Sequence, residues 1–420
     1  MAIWRIHGIM KNSLIIITDQ YPYGNGEITF VEPEIKQFKR HWKIGILSKG
    51  NGEYSVSNFA DVPVIRCPSK NNLIDVLVKG FEIIVDPIFY KEICKAIHEG
   101  NNLWKSIRII IPRMVNSKKI TKKLLKYVQN CNENGVIIYS YWFNYSVLAA
   151  VYIKNKCKAK NVKVVTRIHG YDLYDNRSPL GYQMFQDQIL DKVDKIFFTC
   201  ETAKMYYQEQ HPSVQLNQCV CAYMGCEKEK EQMTIQDSIF TIVSCSNLIS
   251  LKRVDIIIQA LGLIDDREIR WIHFGDGILK EQLIEMAERL LGNKDNIQFE
   301  FRGQVKNEQI KDFYRLGETD CFITTSQTEG MPMSIIEALS FGIPIIATDV
   351  GGIHEQIDGN GILLKSNPTV EEVGQAIIDI VDSTEKKRKE MCRKSHLIWK
   401  EKFDLEKNIS KLESEFRGLL

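Results

Sequence analysis

The residues that point most directly to chemistry are two carboxylates, Glu329 and Glu337, which lie eight positions apart around Pro332. Glu329 belongs to a polar loop, and Glu337 falls inside a predicted helix about two turns further on. A proline at or near the first helical position leaves backbone N–H groups that can bind an anion, typically a phosphate. A phosphate flanked by carboxylates that accept hydrogen bonds from hydroxyl groups would suit a nucleotide sugar.

A simpler interpretation of the same residues stays open from their spacing alone. Ser334 and Glu337 fit a capping box at a helix N-terminus. Glu329 would then be an ordinary solvated loop residue. The placement of the pair in a strand–loop–helix–strand unit favours the functional interpretation.

That unit predicts how the two carboxylates are held. Residues 321–324 form an apolar run that is typical of a buried strand, and a helix with one apolar face follows Pro332. Gly342 ends the helix, and residues 343–348 form the next buried strand. Open α/β sheets bind their ligands at the carboxyl ends of parallel strands, which is where Glu329 is expected to lie.

A second candidate site follows the first predicted strand, residues 13–18. The loop after it contains Gly24, Gly26 and Glu27 ahead of a helix, an arrangement in which backbone N–H groups commonly bind a phosphate or a sugar. The loop has no G-x-G-x-x-G, so the dinucleotide fingerprint is absent there. A plain strand–helix turn is the alternative.

His169 ends another predicted buried strand, residues 162–168, and is followed by Gly170. This position puts the imidazole at the ligand-binding edge of a parallel sheet. A lone histidine is more often a packed or surface residue, so its position alone does not decide its role.

Length and composition limit the class of protein. A chain of 420 residues predicts two domains, and a formal net charge of +2 gives no indication of nucleic-acid binding. Eleven cysteines without a C-x-x-C pair indicate the reduced thiols of a cytosolic protein. We expect no signal peptide, and the uncharged run 135–153 is predicted to be a strand followed by a helix rather than a membrane span.

Residues 101–130 carry eight lysines and arginines and no acidic residue, with apolar side chains between them. A basic amphipathic stretch of this kind can bind an anionic membrane surface. The protein would then lie on the inner face of the cytoplasmic membrane and act on a lipid-linked acceptor. The alternative is a solvated helix face that packs on the N-terminal sheet.

The segment around the two carboxylates resembles the donor-site signature of retaining glycosyltransferases with the GT-B fold, the large family 4 or group 1, similar to bacterial polysaccharide and lipopolysaccharide biosynthesis enzymes. The residues that carry the resemblance are Glu329, Gly330, Pro332, Glu337, Ala338, Gly342, Pro344, Ala347, Gly351, Gly352 and Glu355.

The resemblance implies an α/β protein of two Rossmann-like, doubly wound parallel-sheet domains that face a cleft. The implied boundaries are residues 1–227 for an N-terminal acceptor-binding domain and 228–396 for a C-terminal nucleotide-sugar-binding domain. A C-terminal helix, residues 397–420, would cross back to the N-terminal domain.

The resemblance also implies site residues. Glu329, His169 and Lys252 would be catalytic, Gly24 and Gly26 would lie near the donor, and Glu27 and Asp172 would lie on the acceptor side. The other implied donor-binding residues are Asn247, Arg253, Gly275, Val305, Gly330, Met331, Pro332, Met333 and Glu337.

One of these positions departs from the family pattern. Asn247 stands where the family normally has an arginine that binds the donor diphosphate, whereas Lys252, five residues later, is kept. Arg253 could partly replace the missing charge. The substitution puts donor affinity in doubt, not the fold.

The chain contains no D-x-D pair for a divalent metal, so the helix N-terminus and Lys252 would stabilise the leaving diphosphate. The implied reaction is metal-independent and retaining, without a cofactor. It would transfer a sugar from a UDP- or GDP-linked donor to a glycan or lipid-linked glycan acceptor in cell-envelope polysaccharide biosynthesis. Glu329 would bind sugar hydroxyls, Glu337 ribose hydroxyls, and His169 would position the sugar.

Three alternatives stay open. The first is a nucleotide-sugar epimerase or hydrolase of the same fold, and the second is a non-catalytic scaffold that binds a sugar nucleotide. The third is a nicotinamide-dependent oxidoreductase, against which the missing dinucleotide fingerprint argues.

Overall fold

The computed structural model describes residues 12–53, 62–71, 73–131, 135–158, 160–229 and 239–420. The chain divides into two compact units, the first made of Met1–Ala222 with Ile409–Leu420 and the second of Tyr223–Asn408. The sequence predicts a short N-terminal extension at residues 1–12 and a polar, charged linker at 228–236; residues 1–11 and 230–236 of these lie outside the described residues.

The first unit contains a parallel sheet of seven strands. The strands are β1 (Ser13–Thr18), β2 (Lys43–Ser48), β3 (Val64–Arg66), β4 (Gly135–Ser140), β5 (Asn161–Ile168), β6 (Lys195–Phe198) and β7 (Cys219–Cys221). Their order in the sheet is β3-β2-β1-β4-β5-β6-β7. Every residue of β1 and of β4 is buried, as expected for strands that are covered on both faces.

In the described part of this unit, helices follow or separate these strands. They are α1 (Ile28–Phe38), α2 (Leu73–Ile84), α3 (Pro87–His98), α4 (Leu103–Gln129), α5 (Tyr145–Lys156), α6 (Gly170–Leu173), α7 (Gln186–Ile189) and α8 (Glu201–Gln210). The apolar pattern of residues 72–130 predicts mainly helix, which the described residues from 73 onward confirm, and the predicted strand–helix assignment of 135–153 is also confirmed.

The second unit contains a parallel sheet of six strands. They are β8 (Phe240–Cys245), β9 (Ile269–Phe274), β10 (Ile297–Phe301), β11 (Cys321–Thr324), β12 (Ile345–Thr348) and β13 (Gly361–Leu364). Their order is β10-β9-β8-β11-β12-β13. The helices are α9 (Val254–Gly262), α10 (Lys280–Leu291), α11 (Asn307–Arg315), α12 (Met333–Ser340), α13 (Val370–Val381) and α14 (Glu385–Ile398).

Both sheets reverse their strand order beside their first strand. In the first unit β2 and β4 flank β1, and in the second β9 and β11 flank β8. Doubly wound sheets bind ligands at the carboxyl ends of the strands at such a reversal. The loops after β1, β8 and β11, which carry many of the predicted residues, lie there.

The last helix, α15 (Leu405–Leu419), belongs to the first unit from Ile409 onward. Its Phe416 is fully buried among aromatic rings of that unit. The ring centroids of Phe38, Trp42, Tyr139 and Phe197 lie 5.5–5.9 Å from that of Phe416. This helix therefore supplies part of the core of the first unit.

Helix α4 contains most of the basic stretch. From Ile110 onward its apolar face packs into the protein, where Ile110, Met114 and Leu124 are fully buried, whereas Trp104 in its first turn is 72% exposed. Two of its lysines are paired with aspartates of neighbouring segments, Lys118 with Asp86 and Lys119 with Asp75. The apolar face of α4 thus packs inward, as the alternative interpretation of this stretch predicted.

Candidate functional site

The loop after β11 leads into a helix whose N-terminus has no side-chain cap. Helix α12 begins at Met333 with Pro332 as its N-cap residue, and the Pro332 side chain makes no cap hydrogen bond to the first turn. Ser334 lies inside the first turn, so the capping box with Glu337 that the spacing also allowed is wrong. Free N–H groups at a helix N-terminus carry partial positive charge and favour an anion.

Two glycines hold the Glu329 loop beside that helix. Gly351 has φ +59°, and a Cβ atom at this position would lie 2.2 Å from the Glu329 carbonyl oxygen. The Gly352 N–H donates to the Gly330 carbonyl at 2.7 Å. The Gly-Gly turn after β12 is therefore required by close backbone approach and by a left-handed φ.

Lys252 and Glu329, both predicted to be catalytic, form an ion pair. Lys252 Nζ lies 2.5 Å from Glu329 Oε1, and both side chains are largely buried, with 22% and 13% exposed. Their loops are also joined through the backbone, since Gln327 N–H donates to the Leu251 carbonyl at 2.8 Å. The pair lies where β8 and β11 are neighbours, at the reversal of the sheet.

Arg253 supports the same loop rather than pointing away from it. Its φ of +47° is left-handed, and its guanidinium donates to the carbonyls of Thr325, Ser326 and Ser366 and to Asn367 Oδ1, at 2.6–3.1 Å. Four of the five guanidinium N–H groups are thereby used. The predicted contact of Arg253 with a diphosphate would compete with these acceptors.

The loop after β8 is positioned by a buried histidine that sequence analysis did not single out. His273 Nε2 lies 3.1 Å from the Ser246 carbonyl, and Nδ1 lies 2.8 Å from Ser244 Oγ. A carbonyl only accepts, so Nε2 carries the proton and Nδ1 accepts from Ser244, whose oxygen accepts from Trp271 Nε1 at 2.9 Å. Burial lowers the pKa of His273 to about 4, so the imidazole is neutral.

Gly275 fits closely against this loop. Its φ is +144°, and a Cβ atom there would lie 1.8 Å from the Ser246 carbonyl oxygen. The Gly275 N–H donates to Gly303, two residues before Val305, at 2.9 Å. Asn247, the position where an arginine is expected, is exposed.

Glu337 is buried, and among the described residues one side chain donates a hydrogen bond to it. It is 6% exposed, and Asn307 Nδ2 at the start of α11 donates to its Oε1 at 2.8 Å. Burial raises the pKa of Glu337 to about 7, although the Asn307 hydrogen bond and the Lys311 charge act in the opposite direction. No signal in the sequence identified Asn307, because its contact with Glu337 joins residues that are 30 positions apart in the chain.

In the first unit, the Glu27 carboxylate organises the loop after β1. It accepts from the backbone N–H groups of Asp19, Gln20 and Tyr21 at 2.6–3.1 Å and from Trp142 Nε1 at 2.5 Å. Glu27 is 2% exposed. Its predicted contact with an acceptor would compete with these four donors.

The two predicted glycines of this loop lie against Gln20. Gly24 is extended, with φ −179°. A Cβ atom on Gly26 would lie 2.6 Å from Gln20 Oε1, which also accepts from the Gly26 N–H at 3.2 Å. The Gln20 side chain, whose end is flexible, therefore packs directly over Gly26.

His169 lies among aromatic rings at the carboxyl end of β5. The ring centroids of Trp142, Tyr141 and Phe30 lie 4.5, 6.1 and 6.2 Å from that of His169. Among the described residues, neither ring nitrogen has a hydrogen-bond partner, although both are buried. Burial, and then the charge of Arg167, lower the pKa of His169 to about 3, so the ring is neutral at physiological pH.

Asp172 fixes the backbone around His169. Its Oδ1 accepts from the His169 N–H at 2.7 Å, and its Oδ2 accepts from the Phe143 N–H at 2.6 Å. Burial raises the pKa of this carboxyl to about 7. Asp172 thus ties the loop after β4 to the loop after β5.

A buried ion pair lies beneath His169 and was not predicted. Arg167 Nη1 lies 2.6 Å from Glu34 Oε1, with 1% and 3% of the side chains exposed. The Tyr141 hydroxyl donates to the other oxygen of Glu34. Because the Tyr141 ring is stacked on His169, this network orients the imidazole.

The structure places the predicted residues in two groups. Lys252 contacts Glu329, and Arg253 contacts the loop after β11 that also carries Gly330. Pro332 is the N-cap of α12, and Met333 and Glu337 lie on that helix. Met331 is buried and Val305 is half-buried. In the first unit, Asp172 contacts the His169 backbone, and Trp142 links Glu27 to His169.

Comparison with known proteins agrees with the predicted family. Residues 226–396 match the family model of the glycosyl transferases group 1. The O-antigen biosynthesis glycosyltransferase WclY of Escherichia coli is 25% identical over 288 residues, which cover 65% of this chain and 75% of the relative.

Solved structures share the fold over nearly the whole chain. The lipopolysaccharide outer core galactosyltransferase WaaB has a TM-score of 0.65 at 14% identity and covers 96% of this chain and 99% of its own. Anabaena Alr3699/HepE, solved in complex with UDP, has a TM-score of 0.64 at 15% identity and covers 97% and 100%. These likenesses confirm the GT-B fold class, and the match to the family model of the glycosyl transferases group 1 is confined to residues 226–396.

Proposed function

We propose that this protein is a retaining, metal-independent glycosyltransferase. It transfers a hexose from a UDP- or GDP-linked donor to a glycan or lipid-linked glycan acceptor in cell-envelope polysaccharide biosynthesis. The observation that carries the proposal is the Lys252–Glu329 ion pair beside the uncapped N-terminus of α12, with the buried Glu337 on the same helix. Lys252 and the N–H groups of α12 suit the phosphates of a sugar nucleotide. The two carboxylates suit its hydroxyl groups.

Lys252 and the first-turn N–H groups of α12 stabilise the leaving diphosphate. As the bond between the anomeric carbon and the phosphate oxygen breaks, negative charge develops on that oxygen, where fixed donors lower the barrier most. The acceptor oxygen forms the new bond on the same face of the sugar. Its proton passes to the departing phosphate oxygen, so no general base from the protein is required.

The two carboxylates bind hydroxyl groups at the two ends of the donor. Glu329 accepts from the sugar, and its present partner, Lys252, moves to the phosphate. Glu337 accepts from the ribose and keeps Asn307 as its second partner. A buried carboxylate gains more from such hydrogen bonds than an exposed one, because water does not compete for it.

His169 takes part as a neutral hydrogen-bonding ring. Its two unpartnered nitrogens would bond a sugar hydroxyl or the acceptor, and its low pKa excludes a role as a cation between pH 5 and 9. The Tyr141 ring and the Asp172 carboxylate hold it in place.

The test measures nucleotide release from a panel of UDP-, GDP- and TDP-sugars with a crude lipid acceptor. Glu329→Gln and Lys252→Met are expected to reduce transfer by roughly 10²–10³-fold while the Tm changes little, because both residues act on the donor. Glu285→Gln and Lys386→Met, at exposed positions of the second unit, are the matched controls. Unchanged turnover in both site variants would refute the proposal.

Two further measurements check the stereochemistry and the metal. NMR of the product should show the anomeric configuration of the donor, and an inverted product would refute retention. Excess EDTA should leave the rate unchanged, and loss of activity that Mg²⁺ or Mn²⁺ restores would refute metal independence.

A non-catalytic scaffold is the second candidate, because Asn247 replaces the usual arginine and Arg253 is bonded to its own loop. Donor binding without nucleotide release, in the presence of acceptor, would favour the scaffold. Nucleotide release without acceptor would favour a hydrolase.

For location we propose the cytoplasm, with reversible association to the inner face of the cytoplasmic membrane. In the part of the chain that the structure describes, no helix has the length and apolar character needed to cross a bilayer. The basic stretch of residues 101–130 supports contact with anionic lipid.

A further inference from the structure

Helix α2 presents an apolar face to solvent. Ile74, Leu77, Val78, Phe81 and Ile84 follow the spacing of a single helix face, and their side chains are 58–77% exposed. Ile83, on the opposite side, is buried at 1%. Soluble proteins rarely leave a contiguous apolar face uncovered, and such a face commonly marks an interaction site.

A basic cavity adjoins this face. It has a volume of about 790 Å³, and Ile65, Ile74, Val78 and Tyr127 form part of its wall. Its other lining side chains include the lysines at positions 79, 119, 122, 123 and 126, against a single aspartate, Asp75. Ile74 and Val78 belong both to the cavity wall and to the exposed face of α2, so the two features are continuous.

The lysines differ in how far their charges are already neutralised. Lys119 is paired with Asp75, Lys79 is paired with Glu82, and Lys123 donates to the Arg66 carbonyl. Lys122 and Lys126 are exposed, and among the described residues neither has an ion-pair or hydrogen-bond partner. Their positive charge is available to an anion.

We propose that this surface, formed by α2 and the lysine cavity, docks the protein on an anionic phospholipid bilayer. The side chains of Leu77 and Phe81 enter the boundary of the acyl chains, and Lys122 and Lys126 contact lipid phosphates, one of which occupies the cavity. An apolar helix face bordered by lysines is the arrangement by which monotopic proteins lie on membranes. The inference deepens the proposed membrane location and does not depend on the proposed sugar transfer.

Other occupants fit the surface less well. A soluble anion or a nucleic acid would satisfy the lysines but leave the face of α2 exposed. A second copy in a two-fold dimer would bring the same patch against itself, and with it two sets of lysines. Like charges facing each other oppose association, whereas an anionic bilayer complements both the charge and the apolar surface.

In this proposal the basic stretch supplies charge, and the apolar part of the membrane surface lies outside it. Helix α4 contributes charge, but its own apolar face is buried in the first unit. The apolar part of the surface comes from α2, which precedes the basic stretch in the chain.

Flotation of the full chain with vesicles, without donor or acceptor, tests the inference. We expect binding to phosphatidylcholine vesicles that contain phosphatidylglycerol and little binding to pure phosphatidylcholine. Each lysine near an anionic surface contributes about 1 kcal/mol, so Lys122→Ala/Lys126→Ala should weaken the partition coefficient roughly 30-fold. Leu77→Ser/Phe81→Ser should weaken it at least as much, and at high salt the effect of the lysine variant should shrink.

Matched controls come from the second unit. Lys386→Ala/Lys387→Ala removes two exposed lysines, and Ile278→Ser removes a side chain that is 89% exposed. Both should bind like the unmodified protein. Equal flotation with neutral vesicles, no flotation, or equal binding by all variants would overturn the inference. So would a dimer in sedimentation velocity that Leu77→Ser/Phe81→Ser dissociates, since a second copy would then cover the surface.

Discussion

Replacing Glu337 by glutamine should raise stability and reduce donor binding, and the two effects come from the same burial. The carboxyl has 6% of its surface exposed, and burial raises its pKa to about 7 from an ordinary 4.5. Ionising it inside the fold therefore costs about 3 kcal/mol relative to the unfolded chain. Glutamine keeps the oxygen that accepts from Asn307 and carries no charge to desolvate.

The sign of the effect depends on pH. Below pH 4.5 the carboxyl is protonated in both states, and its ionisation costs nothing. As the pH rises from 4.5 to 7, the unfolded chain releases this proton more readily than the folded one, so the unmodified protein loses stability. The variant has no such loss, and the difference should reach its full size above pH 7.

The assay is thermal unfolding of both proteins at pH 4 and pH 8, with UDP-sugar binding by calorimetry at pH 8. A change of about 3 kcal/mol corresponds to roughly 6–12 °C for a unit of this size. We expect the Tm of Glu337→Gln to exceed that of the unmodified protein by this margin at pH 8 and by much less at pH 4. Donor affinity should fall about 10–100-fold, because hydrogen bonds to a charged acceptor are worth about 1.5–3 kcal/mol.

Glu285→Gln, on the exposed side of α10, is the control for loss of a negative charge and should shift the Tm equally at both pH values. A difference between Glu337→Gln and the unmodified protein that does not grow with pH would refute the assignment of a raised pKa to Glu337. Unchanged donor affinity would refute its contact with the nucleotide.

Three other predictions follow from the loops around the site. An NMR titration of the His169 imidazole should give a pKa well below 5, and a value near 6.5 would contradict its burial. Gly351→Ala puts a Cβ atom 2.2 Å from the Glu329 carbonyl at a φ of +59°, so stability should fall by about 1–3 kcal/mol and donor binding should weaken; an unaltered Tm would contradict the close contact. Arg167→Met leaves the Glu34 carboxylate buried without its partner and should lower stability by about 3–5 kcal/mol, whereas Arg167→Met/Glu34→Met should recover most of that loss. Equal losses in the single and double variants would show that the ion pair is not the cause.

Strands and loops near the site could be predicted because they are local patterns. The strands at 13–18 and 321–324 have the predicted bounds, since each is a continuous, largely apolar run. The contact between Lys252 and Glu329 could be anticipated only from the family resemblance. Nothing in the spacing of two residues 77 positions apart shows that they meet.

What the sequence did not indicate depends on packing between distant segments. Asn307, His273 and Glu34 support site residues through side-chain contacts that no periodicity reveals. The capping box failed because Pro332 takes the N-cap position, which moves Ser334 into the helix. The exposed face of α2 was not predicted, because the same apolar pattern is equally typical of a helix that packs into a core.

The position of Phe416 in the core of the first unit has a consequence for synthesis on the ribosome. Residues up to Ala222 leave the ribosome long before Phe416, whose ring packs against Phe38, Trp42 and Phe197. At 5–20 residues per second, the intervening stretch of about 190 residues takes roughly 10–40 s to translate. During that interval the core of the nascent first unit is incomplete, and we expect chaperones to bind its exposed apolar surface. For the same reason, a fragment that ends at residue 222 should be poorly soluble.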